Sequence, residues 1–113
     1  MNARNLFALV GMKWRNAEGL VASLPNDEPV TLVREPTNPR DRNAIQVWAR
    51  GKHVGFISGK QNTELSRHID SVGKPWDAPA DAAGQIAMDE AKPLSVAAKL
   101  HKGSNRWPLI EVA

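Results

Sequence analysis

The residues best suited to chemistry lie in the segment Arg34–Asn43, which combines charged side chains, amides and two prolines. Pro36 and Pro39 stand three positions apart, so this segment suits neither a helix nor a central strand. Each proline also favours an extended conformation of the residue before it. Asp41 and Asn43 can tie the turn by bonding to nearby backbone N–H groups. The sequence therefore predicts a rigid polar loop that presents carboxylate and amide groups.

Residue patterns typical of catalytic or metal sites are missing from the sequence. The chain has no cysteine, which excludes disulfides, thiolate zinc sites and cysteine nucleophiles. His53, His68 and His101 lack metal-ligand spacing, and the glycines form no phosphate-binding loop. Glu35 with Asp41 is a thin basis for a metal-dependent nuclease. We therefore expect a protein that is not an enzyme, with no catalytic residue, no metal site and no cofactor.

Length and composition favour a single globular domain over residues 1–113. The chain is 42% hydrophobic and 24% charged, close to the globular average. Its net charge of +3 arises within residues 1–70, which hold ten Lys/Arg and seven Asp/Glu, whereas the remainder holds five of each. This excess suits a polyanion partner, although an ordinary solvated surface explains it equally well.

The apolar stretches are too short to place the chain in a membrane. The stretch Leu6–Met12 falls far short of the roughly 20 residues that a membrane span needs, and it is also a poor signal peptide. We therefore expect a cytoplasmic protein with no membrane partner.

One β-hairpin stands out in the middle of the chain. The segment Ala44–Ala49 alternates, with Ile45 and Val47 on one face, and His53–Ile57 returns after a tight turn. Gly55 inside the second strand indicates a bulge or a close approach of another backbone.

Further strands and one helix complete the expected architecture. Ser58 and Gln61 resemble a capping box for a helix that ends at Gly73. Pro108 indicates that the last strand is an edge strand, because proline cannot donate to a ladder. The other expected strands are Leu6–Val10, Val30–Val33, Gln85–Met88, Leu94–Leu100 and Trp107–Val112. The predicted fold is mainly β: a small OB-like β-barrel of about six strands with one or two helices.

Three blocks of the sequence resemble the HIRAN domain family. Leu32–Ile45 is similar to the core motif of the family, in which a strand is followed by Arg-Glu-Pro-x-Asn-Pro, an aromatic residue and Asp-x-Asn-Ala. Val10–Trp14 and Val54–Ile57 match two further blocks in order and spacing, and the resemblance covers roughly residues 6–100. It implies a barrel related to the OB-fold that grips the 3′ end of single-stranded DNA. The expected function is DNA binding in repair or replication, with repair or replication proteins as possible partners.

The resemblance also assigns roles to individual positions. Lys13 would contact phosphate and Trp14 would stack on a base. Phe56 matches a ring-bearing position that lines the pocket, and Lys60 lies close to a basic position at the start of the helix. Each has a simpler explanation, because the rings can be core residues and the lysines ordinary solvated charges.

Three residues of the proline-rich loop receive roles from the same resemblance. Asp41 matches the acid that would accept a hydrogen bond from the 3′ hydroxyl, with Asn38 beside it, although both can equally be structural ties. Arg40 departs from the family, which usually has an aromatic residue there. Its guanidinium can stack on a base or bind phosphate, so end specificity is either kept or lost.

Two other functions remain open at this point. The first is a protein-interaction barrel whose exposed tryptophans bind a peptide or a partner subunit. The second is a binder of duplex, branched DNA or RNA with no end preference.

Overall fold

A closed antiparallel β-barrel forms the body of the protein. The structure, a computed structural model, describes residues 5–82, 92–102 and 107–112. Six strands follow each other around the barrel in the order β2-β3-β4-β1-β7-β6, and β6 pairs back with β2 to close it. A short additional strand, β5, pairs with the start of β6. The elements are β1 Asn5–Val10, α1 Glu18–Ser23, β2 Pro29–Arg34, β3 Ile45–Ala49, β4 Lys52–Ile57, α2 Asn62–Val72, β5 Lys74–Pro75, β6 Leu94–His101 and β7 Leu109–Val112. The predicted fold class is confirmed.

The barrel interior is the main hydrophobic core. Strand residues alternate between its two faces, so every second side chain of β3 points inward. Ile45 and Val47 of this strand are fully buried there, as the alternation predicts. The two helices close the core from outside the barrel, with Val21 of α1 and Ile69 of α2 both buried in it.

The outer face of the sheet around β3 is buried as well. Gln46 and Trp48 point away from the barrel interior, yet they are 0% and 3% exposed. Trp48 forms a second hydrophobic cluster with Val33, Trp76 and Ala82, because the segment after α2 folds over this face. Residues 44–49 therefore have no solvent-facing side, although their sequence alternates.

The predicted hairpin is confirmed, and Gly55 explains part of its geometry. Arg50 and Gly51 both have positive φ values, 51° and 75°, which is the two-residue turn that matches strand twist. The register between β3 and β4 shifts between Val47 and Trp48. A Cβ on Gly55 would collide with the carbonyl oxygen of Val10, so the close backbone approach expected there is present.

The predicted capping box at Ser58 and Gln61 is wrong. Helix α2 begins at Asn62, and its N-cap residue Gln61 makes no side-chain capping hydrogen bond. Gln61 Oε1 instead accepts a hydrogen bond from the Ala8 backbone N–H at 2.8 Å. Ser58 Oγ accepts one from the Lys60 backbone N–H at 3.3 Å. The two side chains tie the connection to β1 and to itself rather than capping the helix.

Pro108 suggested that the last strand is an edge strand, and this prediction is wrong. Strand β7 begins one residue after this proline and pairs with both β1 and β6. Pro108 therefore lies outside the ladder, where its missing N–H costs nothing. Helix α1 was not predicted. The strand expected over Leu94–Leu100 is confirmed and corresponds to β6. The strand expected over Gln85–Met88 lies outside the described residues.

Candidate nucleic-acid interface

The turn between β2 and β3 is held in shape by the Asn38 side chain. Asn38 Oδ1 accepts hydrogen bonds from the backbone N–H groups of Arg40 at 2.9 Å and of Asp41 at 3.1 Å. Asn38 Nδ2 donates to Glu35 Oε2 at 2.6 Å. These three bonds tie the chain on both sides of Pro39 and define the shape of the turn.

Asp41 joins this turn to helix α2. Asp41 Oδ1 accepts a hydrogen bond from the Asn43 backbone N–H at 2.9 Å, which confirms the predicted tie. Asp41 Oδ2 accepts one from Asn62 Nδ2 at 2.9 Å. A Cβ on Gly59 would lie 3.6 Å from the same oxygen. Both donors are neutral, so the carboxylate keeps its charge at a defined position beside the β4–α2 connection.

The Asn43 side chain was expected to tie the turn to nearby backbone N–H groups, and this expectation is wrong. Asn43 Oδ1 accepts a hydrogen bond from Ser66 Oγ at 3.3 Å, and Asn43 Nδ2 donates to Thr63 Oγ1 at 3.5 Å. Both partners belong to α2. The turn and the helix are therefore joined through two neighbouring side chains, Asp41 and Asn43.

A buried chain of hydrogen bonds lies behind the turn. Glu35 Oε1 accepts a short hydrogen bond from Gln46 Nε2, and Gln46 Oε1 accepts one from Trp48 Nε1 at 2.8 Å. Since Glu35 also accepts from Asn38, its carboxylate connects the turn to the buried outer face of β3. Fully paired buried networks of this kind specify a unique geometry.

Phe56 sits where three strands meet. It pairs with Val10 of β1 and with Gln46 of β3, and a Cβ on Gly11 would lie 3.6 Å from its ring. The ring is half-buried and meets His53 edge-on, with the ring centroids 4.9 Å apart. Phe56 is therefore supported from behind and still partly open to a ligand.

His53 is buried between rings and is neutral near neutral pH. It stacks on Trp48 with the ring centroids 5.5 Å apart, and its Nε2 donates to the Gly55 carbonyl oxygen at 3.0 Å. Burial, together with a smaller effect of Arg15, lowers the pKa of His53 to about 4. Its Nδ1 has no hydrogen-bond partner among the residues that the structure describes.

Lys13 and Trp14 occupy the tip of a closed turn. The Met12 carbonyl oxygen accepts hydrogen bonds from the N–H groups of Arg15 at 3.1 Å and Ala17 at 2.9 Å. Ala17 is fully buried and anchors the turn to the core. Trp14 is 89% exposed, so the alternative of a core tryptophan is wrong.

The predicted site residues fall into two groups. Asn38, Arg40 and Asp41 share the β2–β3 turn, and Lys60 belongs to the connection that Asp41 faces. Phe56 touches the end of β1, from which the turn carrying Lys13 and Trp14 departs. Within the described part of the chain, no hydrogen bond or ring contact joins Trp14 to Asp41 or Phe56. The side chains of Lys13, Arg40 and Lys60 are exposed.

Three residues that hold the turn were not given that role by the sequence. Glu35, Gln46 and Asn62 position Asn38 and Asp41, but their partners lie 3 to 21 residues away. The only available signal was polarity in unusual places: a glutamine in a hydrophobic strand and an asparagine at the start of a helix.

Residues 5–82, 92–102 and 107–112 contain no group of three or more His, Cys, Asp or Glu side chains able to hold a metal ion. No helix within these ranges has the length and apolar character required to cross a membrane.

The fold and the turn together define a small β-barrel domain with an exposed basic and aromatic surface. The family model of the HIRAN domain matches residues 6–75, more than half of the chain. The chain therefore belongs to the HIRAN domain family, whose members are nucleic-acid-binding domains and are not catalytic in themselves.

One solved structure supports the fold. It is the crystal structure of a protein from Lactobacillus plantarum that was a target of the Northeast structural genomics consortium. It matches with a TM-score of 0.56 and 21% identity, over 95% of this chain and 90% of that chain. At this identity the likeness concerns the fold alone. No curated protein matches the chain.

Proposed function

We propose that this protein binds single-stranded DNA at a free 3′-hydroxyl end. In this proposal it acts in DNA repair or replication in the cytoplasm, where it recruits repair or replication proteins. Membership of a nucleic-acid-binding family supports the ligand class. The preference for a strand end rests on the geometry of the β2–β3 turn.

The observation that carries the proposal is the environment of the Asp41 carboxylate. Its two hydrogen-bond donors, the Asn43 N–H and Asn62 Nδ2, are both neutral. Each oxygen keeps a lone pair, and the negative charge is not cancelled by these partners. Such a group accepts a strong hydrogen bond from a hydroxyl and repels a phosphate. It therefore selects a free 3′ hydroxyl over a phosphorylated end.

The aromatic residues supply surfaces for bases. Trp14 is exposed on a closed turn, and a stacked base contributes about 1–3 kcal/mol in sites of this kind. Phe56 offers a half-buried ring near Gly11, at the base of the same turn. A terminal nucleotide held there would have a ring on one side and the Asp41 turn on the other.

The cations would bind the phosphates of the strand. Lys13 lies on the Trp14 turn, Arg40 on the Asp41 turn and Lys60 on the connection that Asp41 faces, and all three side chains are exposed. Their charges would attract the phosphate backbone and offset the repulsion that Asp41 exerts on it.

The direct test is fluorescence anisotropy with three labelled single-stranded oligonucleotides of one sequence. One has a 3′ hydroxyl, one a 3′ phosphate, and the third is circular. The proposal expects the 3′-hydroxyl strand to bind at least tenfold more tightly than the other two. Equal affinity for all three would exclude end recognition.

A nucleic-acid binder without end preference is the second candidate, and Arg40 favours it. This exposed arginine stands where the family motif usually has an aromatic residue, and a guanidinium binds any phosphate it reaches. Competition between DNA and RNA of one sequence, with open and circular forms of each, separates the two candidates. Equal competition by all four forms would favour the second.

A further inference from the structure

A groove beside the Lys13–Trp14 turn contains a second exposed tryptophan. We define the tryptophan groove by Val10, Met12, Trp14, Trp107 and Pro108, which line a cavity of about 380 Å³ together with Lys13 and Glu18. Trp14 is 89% exposed and Trp107 is 69% exposed. Trp107 lies outside residues 6–75, so the family match does not assign it a role.

We propose that the tryptophan groove is a second nucleotide site, in which Trp14 and Trp107 stack on bases of the strand that leads to the 3′ end. This inference rests on the proposed function, because it places the strand by its terminal nucleotide. It adds a binding residue, Trp107, and predicts that the protein reads more than one nucleotide.

The groove is built from rigid parts. The Trp14 turn is closed by two hydrogen bonds to the Met12 carbonyl oxygen. The Pro108 carbonyl oxygen accepts a hydrogen bond from the Leu9 N–H at 3.4 Å, which ties the segment next to Trp107 to β1. The backbone that carries the groove is therefore fixed before a ligand binds, which reduces the conformational entropy that binding costs.

The chemistry of the lining fits bases attached to phosphates. Val10, Met12 and Pro108 supply apolar lining, and two indole rings, the side chains of Trp14 and Trp107, are available for stacking. The cavity volume falls in the range of about 300–1,000 Å³ that is typical of small-molecule sites. Sites for single-stranded nucleic acid combine aromatic surfaces of this kind with nearby cations.

The charge around the groove favours an anionic ligand. Lys13 lines the groove, and Lys102 lines an adjoining cleft that shares Met12, Glu18 and Trp107 with it. Lys102 Nζ donates to the carbonyl oxygens of Ala22 at 2.9 Å and Leu24 at 2.7 Å, and these neutral partners leave its positive charge intact. Among the residues that the structure describes, Glu18 is the one acid that lines either cavity, so the cations exceed the acids in that part of the lining.

The groove is continuous with the proposed site for the 3′ end. Gly11 lines the groove, and a Cβ on it would lie 3.6 Å from the Phe56 ring. A strand whose last nucleotide lies at Phe56 and Asp41 can therefore pass over Gly11 and enter the groove. This path gives the two sites a fixed order along the strand.

The experiment measures how the effect of one substitution depends on strand length. The full chain and its Trp107→Ala variant are titrated with thymidine 5′-monophosphate and with a longer strand, a thymidine octanucleotide, each with a 3′ hydroxyl. We expect Trp107→Ala to bind the longer strand about tenfold more weakly and the mononucleotide within a factor of two. Tenfold is about 1.4 kcal/mol, in keeping with the loss of one stacked base.

Two further variants control for changes in the fold. Trp107→Phe keeps a ring and should stay within about threefold of the unchanged protein on the longer strand. Val72→Ala removes another exposed apolar side chain, at the end of α2, and should have no effect on binding. A Trp14→Ala variant tests Trp107 by tryptophan fluorescence. Trp107 is then the exposed tryptophan of the described residues, because Trp48 and Trp76 are buried. We expect the longer strand still to quench the fluorescence of this variant.

Each outcome bears on one of the two proposals. Unchanged binding of the longer strand by Trp107→Ala, or equal weakening for the mononucleotide and the longer strand, would overturn the second site and leave end recognition standing. Length-dependent weakening without preference for a 3′ hydroxyl would support the groove and remove end recognition. If the Trp14→Ala variant still binds the longer strand in anisotropy titrations but its tryptophan fluorescence is not quenched, the second site is also overturned, and the groove is left to a protein ligand.

Discussion

Asp41 Oδ2 accepts a hydrogen bond from Asn62 Nδ2 at 2.9 Å, and Asn62 is the first residue of helix α2. The side chain of Asn62 is buried, with 2% of the residue exposed. The carboxylate is therefore positioned by the helix as well as by its own turn. A ligand that contacts Asp41 meets a group whose place in the fold is already set, which favours discrimination between similar ligands.

Asp41→Asn should abolish the preference for a 3′ hydroxyl. A neutral amide does not repel a terminal phosphate and accepts a weaker hydrogen bond from a hydroxyl. The ratio of affinities for the 3′-hydroxyl and 3′-phosphate strands is expected to fall at least tenfold in anisotropy titrations. Asp77→Asn removes a charge of the same sign from an exposed position and should leave the ratio unchanged. An unaltered ratio in Asp41→Asn would show that this carboxylate does not read the end.

Asn38→Ala should destabilise the protein, because it removes all three hydrogen bonds that the side chain makes. A typical hydrogen bond contributes about 0.5–1.5 kcal/mol, so we expect the free energy of unfolding to fall by about 2–3 kcal/mol. Urea denaturation followed by tryptophan fluorescence measures this change. Thr37→Ala, at an exposed position of the same turn, should stay within about 0.5 kcal/mol. Equal effects of the two substitutions would contradict the assigned role of Asn38.

Local sequence signals predicted the parts of the fold that depend on neighbouring residues. The tie from Asp41 to the Asn43 N–H spans two residues and follows from ordinary turn chemistry. The hairpin turn at Arg50 and Gly51 is another local feature, and a tight turn between Ala49 and His53 was predicted. In both cases the partners are close in sequence, so composition and spacing are sufficient.

Features that depend on distant partners could not be predicted in this way. Gln61 resembled a capping residue, but its side chain bonds to Ala8 in a strand 53 residues away. Pro108 resembled an edge-strand marker, but the strand after it lies between β1 and β6. The alternation in β3 gave no sign that both of its faces are buried, because Trp76 comes from a distant segment and packs on Trp48 with ring centroids 4.9 Å apart. In each case tertiary contacts decided what the local sequence did not.

Gly55→Ala should destabilise the barrel where β4 approaches β1. The added Cβ would collide with the Val10 carbonyl oxygen and lie 2.9 Å from Leu9 Cδ1, and neither a backbone nor a core side chain moves cheaply. Overpacking of this kind costs about 1–3 kcal/mol in the free energy of unfolding. Gly19→Ala in α1 is the matched control, because nothing lies within 4 Å of the added carbon. We expect that control to be neutral or up to about 1 kcal/mol more stable, since alanine favours helix.

Stability should fall as the pH drops from about 6.5 to 4, in part because of His53. Burial lowers the pKa of this residue to about 4, from a usual value of 6.5. In that window the unfolded chain binds the proton and the folded chain does not, so stability rises with pH and is fully present above about 6.5. Each pKa unit corresponds to about 1.4 kcal/mol, and the loss on acidification is at most about 3 kcal/mol.

The contribution of His53 can be isolated with His53→Phe. The phenyl ring keeps the stack on Trp48 but carries no titratable nitrogen. Thermal unfolding between about pH 4 and pH 7 should show a smaller change in Tm for the variant than for the unchanged protein. The same pH dependence in both proteins would assign the acid sensitivity to other groups.

Lys13→Ala should reduce the salt dependence of DNA binding. On single strands, the logarithm of the affinity falls with the logarithm of salt concentration by about 0.7 for each phosphate neutralised. Loss of one phosphate contact should therefore make the slope shallower by about 0.7, and the affinity at low salt should fall. Lys52→Ala is the matched control, because this exposed lysine begins β4 at the hairpin, whereas Phe56 lies near the opposite end of the strand. Both substitutions remove one positive charge. A slope that changes equally in the two variants would indicate general electrostatic attraction. A change confined to Lys13→Ala would indicate that the Lys13–Trp14 turn contacts the strand directly.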